Sequence, residues 1–262
     1  MNALKIAIAI LRSIIALIYF VSFLSVVILF SVLTWRRWSL RIVGPVLRFF
    51  GQTSLKILGI PLVFHNEWPF QRDEPRVVIV NHQSTLDVLW FAAICPNRVG
   101  AVGKRELIYI PPMNLAWWAF RLFLIDRSNR ESAIRTMKAA TENTIAYQRT
   151  VALAPEGTRS KTGHLLPFKK GAFHLALEAK LPIYPVVMCG AAEAMPKHTL
   201  WAYPKPINLQ FLPPVSTEDW SVDRLDEHIA DVHSIMSEAY AQLREESGLP
   251  QLPPLESLQE RP

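Results

Sequence analysis

The chain has 262 residues, of which half are hydrophobic and 19% are charged, and its mean hydropathy is +0.18. This length and composition are typical of a domain with a buried core, and they exclude a disordered or fibrous protein. The two cysteines exclude a disulfide scaffold, and the lack of any Cys/His cluster with ligand spacing predicts no metal site. The net charge is +6, but residues 1–66 hold seven Lys or Arg and no acidic residue, whereas the remainder is almost neutral. A basic excess confined to an apolar N-terminal region predicts membrane lipids as a partner, and no nucleic acid.

A stretch of 22 uncharged, mainly apolar residues extends from Ser13 to Thr34. As a helix it would rise about 33 Å, which is enough to cross a hydrocarbon core of about 30 Å. A cleaved signal peptide is the alternative, but its apolar region would span only about 7–15 residues, and Leu33–Arg36 is a poor cleavage site. Few basic residues precede the stretch and more follow it, namely Arg36, Arg37, Arg41 and Arg48. By the positive-inside rule this predicts that the bulk of the protein lies in the cytoplasm.

Apolar and basic residues alternate from Trp38 to Phe64, which predicts amphipathic helix lying in the membrane interface. We therefore expect three parts in the chain. Residues 1–64 form a membrane anchor with interfacial helices, residues 65–248 form a globular domain, and residues 249–262 form a loose Pro-rich tail.

Six short apolar runs in the globular domain predict strands at Arg76–Asn81, Arg98–Lys104, Leu122–Asp126, Thr150–Pro155, Ile183–Cys189 and Ile207–Leu212. Helical periodicity predicts helices near Thr85–Ile94, Glu131–Tyr147, Gly171–Ala179 and Asp219–Glu246. The spacing of Ser128 and Glu131 is typical of a capping box for the second of these helices. Strands separated by helices predict an α/β domain with a largely parallel sheet, whose functional residues collect at the carboxyl ends of the strands.

The first segment with candidate catalytic residues follows the first predicted strand and contains His82 and Asp87. With a helix starting near Ser84, Asp87 returns toward the His82 ring after about one turn. A carboxylate on Nδ1–H would fix the tautomer and make Nε2 a better proton acceptor, as a general base requires. The Ser84-x-x-Asp87 spacing equally matches a capping box, in which Asp87 only satisfies N–H groups of the helix. The spacing alone leaves both interpretations open.

The second segment, Glu156–Ser160, also follows an apolar predicted strand. Gly157 permits close approach of the backbone, and the planar fork of Arg159 suits a phosphate or carboxylate. The alternative is an ordinary turn with a solvated arginine.

Two further cations, Lys104 and Arg127, stand at the ends of predicted strands. Each is unremarkable alone, because basic side chains at strand ends are usually exposed. Together with His82 and Arg159 they fall where the functional edge of the sheet is expected. Several cations at one concave edge would attract a phosphate dianion.

In combination, these segments resemble the motifs of the membrane-bound glycerolipid acyltransferases, most closely the bacterial 1-acylglycerol-3-phosphate (lysophosphatidic acid) acyltransferases. The four motifs of that family correspond, in the family's order, to Asn81–Asp87, Phe123–Arg127, Pro155–Ser160 and Leu181–Val186. Two positions depart from the family pattern. Arg121 stands where the second motif often has glycine, and Ala154 stands where an aromatic residue often precedes the third.

The resemblance implies that His82 is the general base for the sn-2 hydroxyl of the lysolipid and that Asp87 orients it. It implies that the glycerol phosphate is held by Lys104, Arg127, Glu156, Gly157, Thr158 and Arg159. It further implies a glycerol-3-phosphate acyltransferase-like mixed sheet in the domain at 65–248, in a bacterial inner membrane with the catalytic domain on the cytoplasmic side. The expected partners are lysophosphatidic acid and an acyl donor, either acyl-CoA or acyl carrier protein, which is a co-substrate; no separate cofactor is expected.

Two other functions stay open. The acceptor could be a lyso-ornithine lipid, another lysophospholipid or glycerol 3-phosphate, or the protein could be a non-catalytic, membrane-anchored lipid-binding module. No G-x-S-x-G is present, so Ser84 and Cys189 are expected to be structural and not nucleophiles. The aromatic stretch Met113–Phe120 fits either a lipid-contacting element or a core helix.

Overall fold

Strands and helices alternate through most of the chain. The computed structural model describes residues 3–34, 42–67, 69, 74–109, 113–120, 122–126, 128–160, 162–196 and 199–253. The strands are β1 (Leu62–Phe64), β2 (Arg76–Val80), β3 (Val99–Lys104), β4 (Phe123–Ile125), β5 (Thr150–Leu153), β6 (Ile183–Cys189) and β7 (Ile207–Phe211). The helices are α1 (Ala3–Leu33), α2 (Val43–Leu58), α3 (Asp87–Ile94), α4 (Met113–Phe120), α5 (Arg130–Tyr147), α6 (Gly171–Ala179), α7 (Ala191–Ala194) and α8 (Leu225–Glu246), and a 3₁₀ helix, Arg105–Tyr109, follows β3.

The strands form one sheet in the order β1-β7-β6-β2-β5-β3-β4. Every neighbouring pair is parallel except β6 with β7, so β1 and β7 run against the other five strands. This confirms the predicted mixed, largely parallel sheet. Because β2, β5, β3 and β4 are adjacent and parallel, their carboxyl ends meet at one edge.

The core lies on both faces of the sheet, as the side chains of β2 show. Val78 and Val80 point into a cluster shared with α2 and α3, whereas Val77 and Ile79 point into a cluster shared with α6 and α8. A parallel strand covered on both faces can be apolar at successive positions, which is why Val77–Val80 form an unbroken apolar run after the buried Arg76.

Helix α1 starts well before the predicted stretch 13–34. Among the described residues it is the one helix long and apolar enough to cross a membrane, judged by length and composition. One side packs against the protein: Ala9 and Leu24 are buried, and Ser13 Oγ accepts a hydrogen bond from Ala202 N at 3.0 Å. The other side exposes apolar side chains that include Leu4, Ile8, Leu11, Ile15, Ile18, Leu29 and Leu33. Of the basic residues behind the predicted orientation, Arg36, Arg37 and Arg41 lie outside the described residues.

Helix α2 packs tightly on α3 and contributes to the core. A Cβ atom at Gly51 would lie 2.3 Å from Ala93 N, so only glycine allows the two helices to approach this closely. The helix ends at Gly59, whose φ of 72° gives a left-handed cap. Residues 62–64 then pair with β7 as strand β1, so the predicted interfacial helix does not extend over them. A strand of three residues is too short to show a two-residue period in the sequence.

The cap of α5 differs from the predicted capping box. Asn129 Oδ1 accepts a hydrogen bond from Ser132 N at 2.9 Å and is the N-cap. Ser128 instead donates from its N and Oγ to Asp126 Oδ1, at 3.0 and 2.6 Å. Asparagine and serine are both good caps, so the pattern located the helix start to within one residue.

The C-terminal segment 249–253 is docked, so the expectation of a loose tail is wrong for these residues. Two of its leucines pack against the core cluster on the α8 side of the sheet. Arg244 Nη2 donates to Pro250 O at 2.8 Å, and His164 Nε2 lies 2.8 Å from Pro253 O. The rest of the predicted tail lies outside the described residues.

Two truncations test this docking. Ending the chain at Gly248 removes the packed leucines and two main-chain acceptors, so the thermal unfolding temperature should fall by several degrees. Ending it at Pro253 keeps every described contact and should leave the unfolding temperature unchanged. Circular dichroism of both proteins in detergent gives the comparison, and equal unfolding temperatures for the two truncations would contradict the docked segment.

Candidate active site

The side chains of His82 and Asp87 meet at the carboxyl end of β2. His82 Nδ1 lies 2.7 Å from Asp87 Oδ2, and the same oxygen accepts the main-chain N–H groups of Gln83 and Ser84 at 2.7 and 2.9 Å. Asp87 Oδ1 accepts the indole N–H of Trp90 at 3.1 Å. The sequence left open whether Asp87 partners the histidine or satisfies N–H groups of the helix. The structure shows the contact with the histidine, and the N–H groups that Asp87 also binds precede α3, which begins at Asp87 and has no side-chain cap.

This carboxylate determines which nitrogen of His82 is available. Because Nδ1 donates to Asp87, Nε2 is the acceptor nitrogen of the neutral ring. The His82 side chain is 28% exposed and the Asp87 side chain is 6% exposed. The ring can therefore meet a substrate while its partner stays buried, which is the arrangement that general-base chemistry needs.

Asn81 fixes the start of the His82 loop, a role that was not predicted from the sequence. Its side-chain amide donates to Met188 O at 2.9 Å and accepts from Met188 N at 2.8 Å. These two bonds continue the pairing of β2 with β6 beyond Val80 and Val186. The position of Asn81 directly after an apolar strand could have indicated this role, since buried amides are almost always hydrogen-bonded.

Glu156 is a second buried carboxylate, only 2% exposed. Its Oε1 accepts the main-chain N–H of His82 at 2.7 Å, and its Oε2 accepts that of Leu166 at 2.9 Å. Burial raises the pKa of Glu156 from 4.5 to about 7, although both hydrogen bonds act in the opposite direction. With both oxygens bound to main chain, Glu156 shapes the loop that carries His82.

The turn after β5 brings a guanidinium group to the same loop. Gly157 has a φ of 70°, and a Cβ there would lie 2.9 Å from the Lys169 side chain, so the turn needs glycine. Thr158 and Arg159 are exposed, and Arg159 Nη1 donates to Thr85 Oγ1 at 3.2 Å. Thr85 lies between the histidine and the aspartate, so the structure places Arg159 beside the segment that holds the base.

The other two predicted cations are less closely tied to the histidine. Lys104 ends β3 on the same edge, two strand positions from β2, and its Nζ pairs with Glu106 Oε1 at 3.1 Å. Arg127 lies outside the described residues. Asp126, which precedes it, accepts from Arg105 Nη1 at 2.9 Å. Lys104 thus lies at the carboxyl end of β3, whereas its role in binding the substrate and the position of Arg127 stay predictions.

Ser84 is hydrogen-bonded, and both cysteines are buried. Ser84 Oγ donates to Met195 O at 3.3 Å. Burial raises the pKa of Cys95 to about 12 and raises the pKa of Cys189, so neither thiol ionises readily near neutral pH. Within the described ranges, no group of three or more His, Cys, Asp or Glu could hold a metal ion.

Helix α4 satisfies both interpretations of the aromatic stretch. Ala119 and Phe120 are buried in a cluster with residues of α1 and α2. Leu115 and Trp118 are 43% and 40% exposed. One side of the helix thus belongs to the core, while the other presents apolar surface next to α1.

The sheet and the paired histidine and aspartate define the class of protein, and a family model described as Acyltransferase matches residues 61–189. The chain is 33% identical over 209 residues to the 1-acyl-sn-glycerol-3-phosphate acyltransferase of Limnanthes douglasii, covering 79% of this chain and 73% of that protein. It is 35% identical over 179 residues to the 1-acyl-sn-glycerol-3-phosphate acyltransferase alpha of Mus musculus, covering 68% and 63%. The chain belongs to this acyltransferase family.

A solved structure shares the fold. The 1-acyl-sn-glycerophosphate (LPA) acyltransferase PlsC from Thermotoga maritima superposes with a TM-score of 0.69 at 23% sequence identity, covering 89% of this chain and 97% of that one. At this identity the likeness concerns the architecture, which agrees with the mixed sheet described above.

The raised pKa of Glu156 predicts a pH dependence of stability. A carboxyl group whose pKa is higher in the folded protein stabilises the fold below its unfolded value and loses this contribution as pH rises through the folded value. For Glu156 this window runs from 4.5 to about 7.

Thermal unfolding of wild type and Glu156→Gln, followed from about pH 5 to about pH 8, measures this contribution. The wild-type unfolding temperature should fall with rising pH relative to that of the variant, because Gln has no proton to release. Parallel curves for the two proteins would show that the carboxyl group does not titrate in this range.

Proposed function

We propose that this protein transfers an acyl group from a thioester to the sn-2 hydroxyl of 1-acylglycerol 3-phosphate, forming phosphatidate. The observation that carries the proposal is the 2.7 Å contact of His82 Nδ1 with Asp87 Oδ2 at the carboxyl end of a central parallel strand. The names of the relatives in Limnanthes douglasii and Mus musculus support the choice of acceptor.

In this reaction His82 acts directly on the acceptor. Its Nε2 takes the hydroxyl proton while the oxygen attacks the thioester carbonyl carbon, and a tetrahedral intermediate forms. When the intermediate collapses, the C–S bond breaks, and the proton returns from the imidazolium to the leaving thiolate. Asp87 stabilises the imidazolium between these steps, so no covalent acyl-enzyme is needed.

The phosphate of the acceptor needs a cation near the base, and Arg159 is the best-placed one. Its exposed guanidinium already lies beside Thr85, so it can reach a ligand without uncovering the core. A planar fork binds two phosphate oxygens at once. Lys104 and Arg127 are proposed as helpers along the same edge, and Gly157 and Thr158 as parts of the acceptor loop.

The membrane location belongs to the same proposal. The exposed apolar side of α1, together with Leu115 and Trp118 of α4, supports attachment to a lipid surface where the acceptor resides. We propose a bacterial inner membrane with the catalytic domain on the cytoplasmic side, where acyl-CoA and acyl carrier protein are available as donors.

Replacing His82 by Ala should abolish phosphatidate formation from lysophosphatidate and acyl-CoA while leaving the protein folded, because the proposed proton acceptor is then missing. Asp87→Asn should lower turnover by about three to four orders of magnitude through loss of the correct tautomer. His174→Ala, a histidine on α6, is the matched control and should retain wild-type activity. Transfer by His82→Ala above the rate without enzyme would refute the proposed base.

Replacing Arg159 by Ala should raise KM for lysophosphatidate at least tenfold and change the use of a monoacylglycerol, which lacks the phosphate, much less. Arg135, an exposed arginine on α5, supplies the control variant Arg135→Ala. Steady-state kinetics with both acceptors and one acyl-CoA make the comparison. An equal loss with the two acceptors would mean that Arg159 does not bind the phosphate.

A further inference from the structure

The main-chain donors around the base are already in use. The N–H of His82 is donated to Glu156, and those of Gln83 and Ser84 are donated to Asp87. Acyl transfer develops negative charge on the carbonyl oxygen of the thioester, and an N–H donor usually stabilises this oxyanion. These three successive amides cannot serve it without releasing a buried carboxylate.

The side chain of Gln83 is different. Gln83 is 8% exposed, yet its Nε2 is buried and has no hydrogen-bond partner. Two residues earlier, the equally buried amide of Asn81 makes two hydrogen bonds with Met188. An unpaired buried donor is destabilising, so the free protein carries in this loop a donor that an acceptor atom of a bound substrate would stabilise.

We propose that the side-chain amide of Gln83 donates a hydrogen bond to the acyl carbonyl oxygen of the thioester and stabilises the oxyanion of the tetrahedral intermediate. Its backbone is fixed by the bond from Gln83 N to Asp87, so the donor sits on the same loop as the base. The inference rests on the proposed acyltransferase function and assigns a donor for the oxyanion of that reaction. Gln83 neither gains nor loses a proton, and it forms no covalent bond.

The proposal predicts effects of opposite sign on stability and on activity, which a structural role would not produce. In Gln83→Met, a similar volume without polar hydrogen replaces the unpaired donor. The thermal unfolding temperature should stay the same or rise, whereas kcat should fall about 10²–10³-fold with KM for lysophosphatidate little changed.

Two further variants calibrate this result. Gln83→Glu keeps the shape but replaces the donor by oxygens that repel an oxyanion, so kcat should fall at least as far as in Gln83→Met. Asn81→Leu removes an amide that is fully paired in the structure, so its unfolding temperature should drop by several degrees. This fall in unfolding temperature is the reference value for losing a hydrogen-bonded amide in this loop.

All variants are assayed as full-length protein in detergent with acyl-CoA and lysophosphatidate. Unchanged kcat in Gln83→Met overturns the inference, and so does a fall in its unfolding temperature comparable to that of Asn81→Leu. A rise in KM at constant kcat overturns it too, because a ground-state contact is then responsible. A wild type that forms no phosphatidate refutes the proposed function itself, whereas an active wild type with an equally active Gln83→Met refutes only the role of Gln83.

Discussion

The carboxylate of Asp87 accepts four hydrogen bonds from groups between His82 and Trp90. Together they fix the carboxylate that positions the imidazole of His82. A buried carboxylate is unstable without such partners, so the charge, the main-chain N–H groups and the ring hold one another in place. Because Oδ2 also binds the main-chain N–H groups of Gln83 and Ser84, the oxygen that the ring contacts is held in place by the turn itself. The base is therefore oriented before any acceptor arrives, which lowers the reorganisation needed during reaction.

The sheet supplies the remaining constraints on this loop. Strand β2 lies between β6 and β5, and a side chain fixes its end to each neighbour: Asn81 binds Met188 of β6, while Glu156, after β5, binds the N–H of His82. Ser160 N also donates to His82 O at 3.0 Å, so both main-chain polar groups of the histidine are used. The crossover connections of a parallel sheet bring these distant segments to one edge, which explains why motifs more than 70 residues apart lie in contact.

The sequence was sufficient to predict this edge, because apolar runs place strands and the residues after them carry the chemistry. Residues 76–80 and 183–189 are buried strands, and His82 and Glu156 follow strands as expected. The contacts of the Glu156 side chain could not be predicted. The sequence shows that a carboxyl group follows the strand, but its hydrogen bonds with His82 and Leu166 depend on the tertiary fold. The same holds for β1, which pairs with β7 about 145 residues away in sequence.

Helix α3 begins at Asp87, the partner of the proposed base His82, and also carries exposed apolar surface. Asp87 begins this helix, and the next residue, Val88, is 65% exposed, although most of the helix is buried. A lysolipid presents its hydroxyl and phosphate near the bilayer surface with its acyl chain below. Because His82 contacts the first residue of this helix, the proposed base lies near its exposed apolar surface and can reach this hydroxyl while the chain stays in an apolar environment. The acceptor then need not leave the lipid phase entirely, so the cost of exposing an acyl chain to water, about 0.8 kcal/mol per CH₂, is largely avoided.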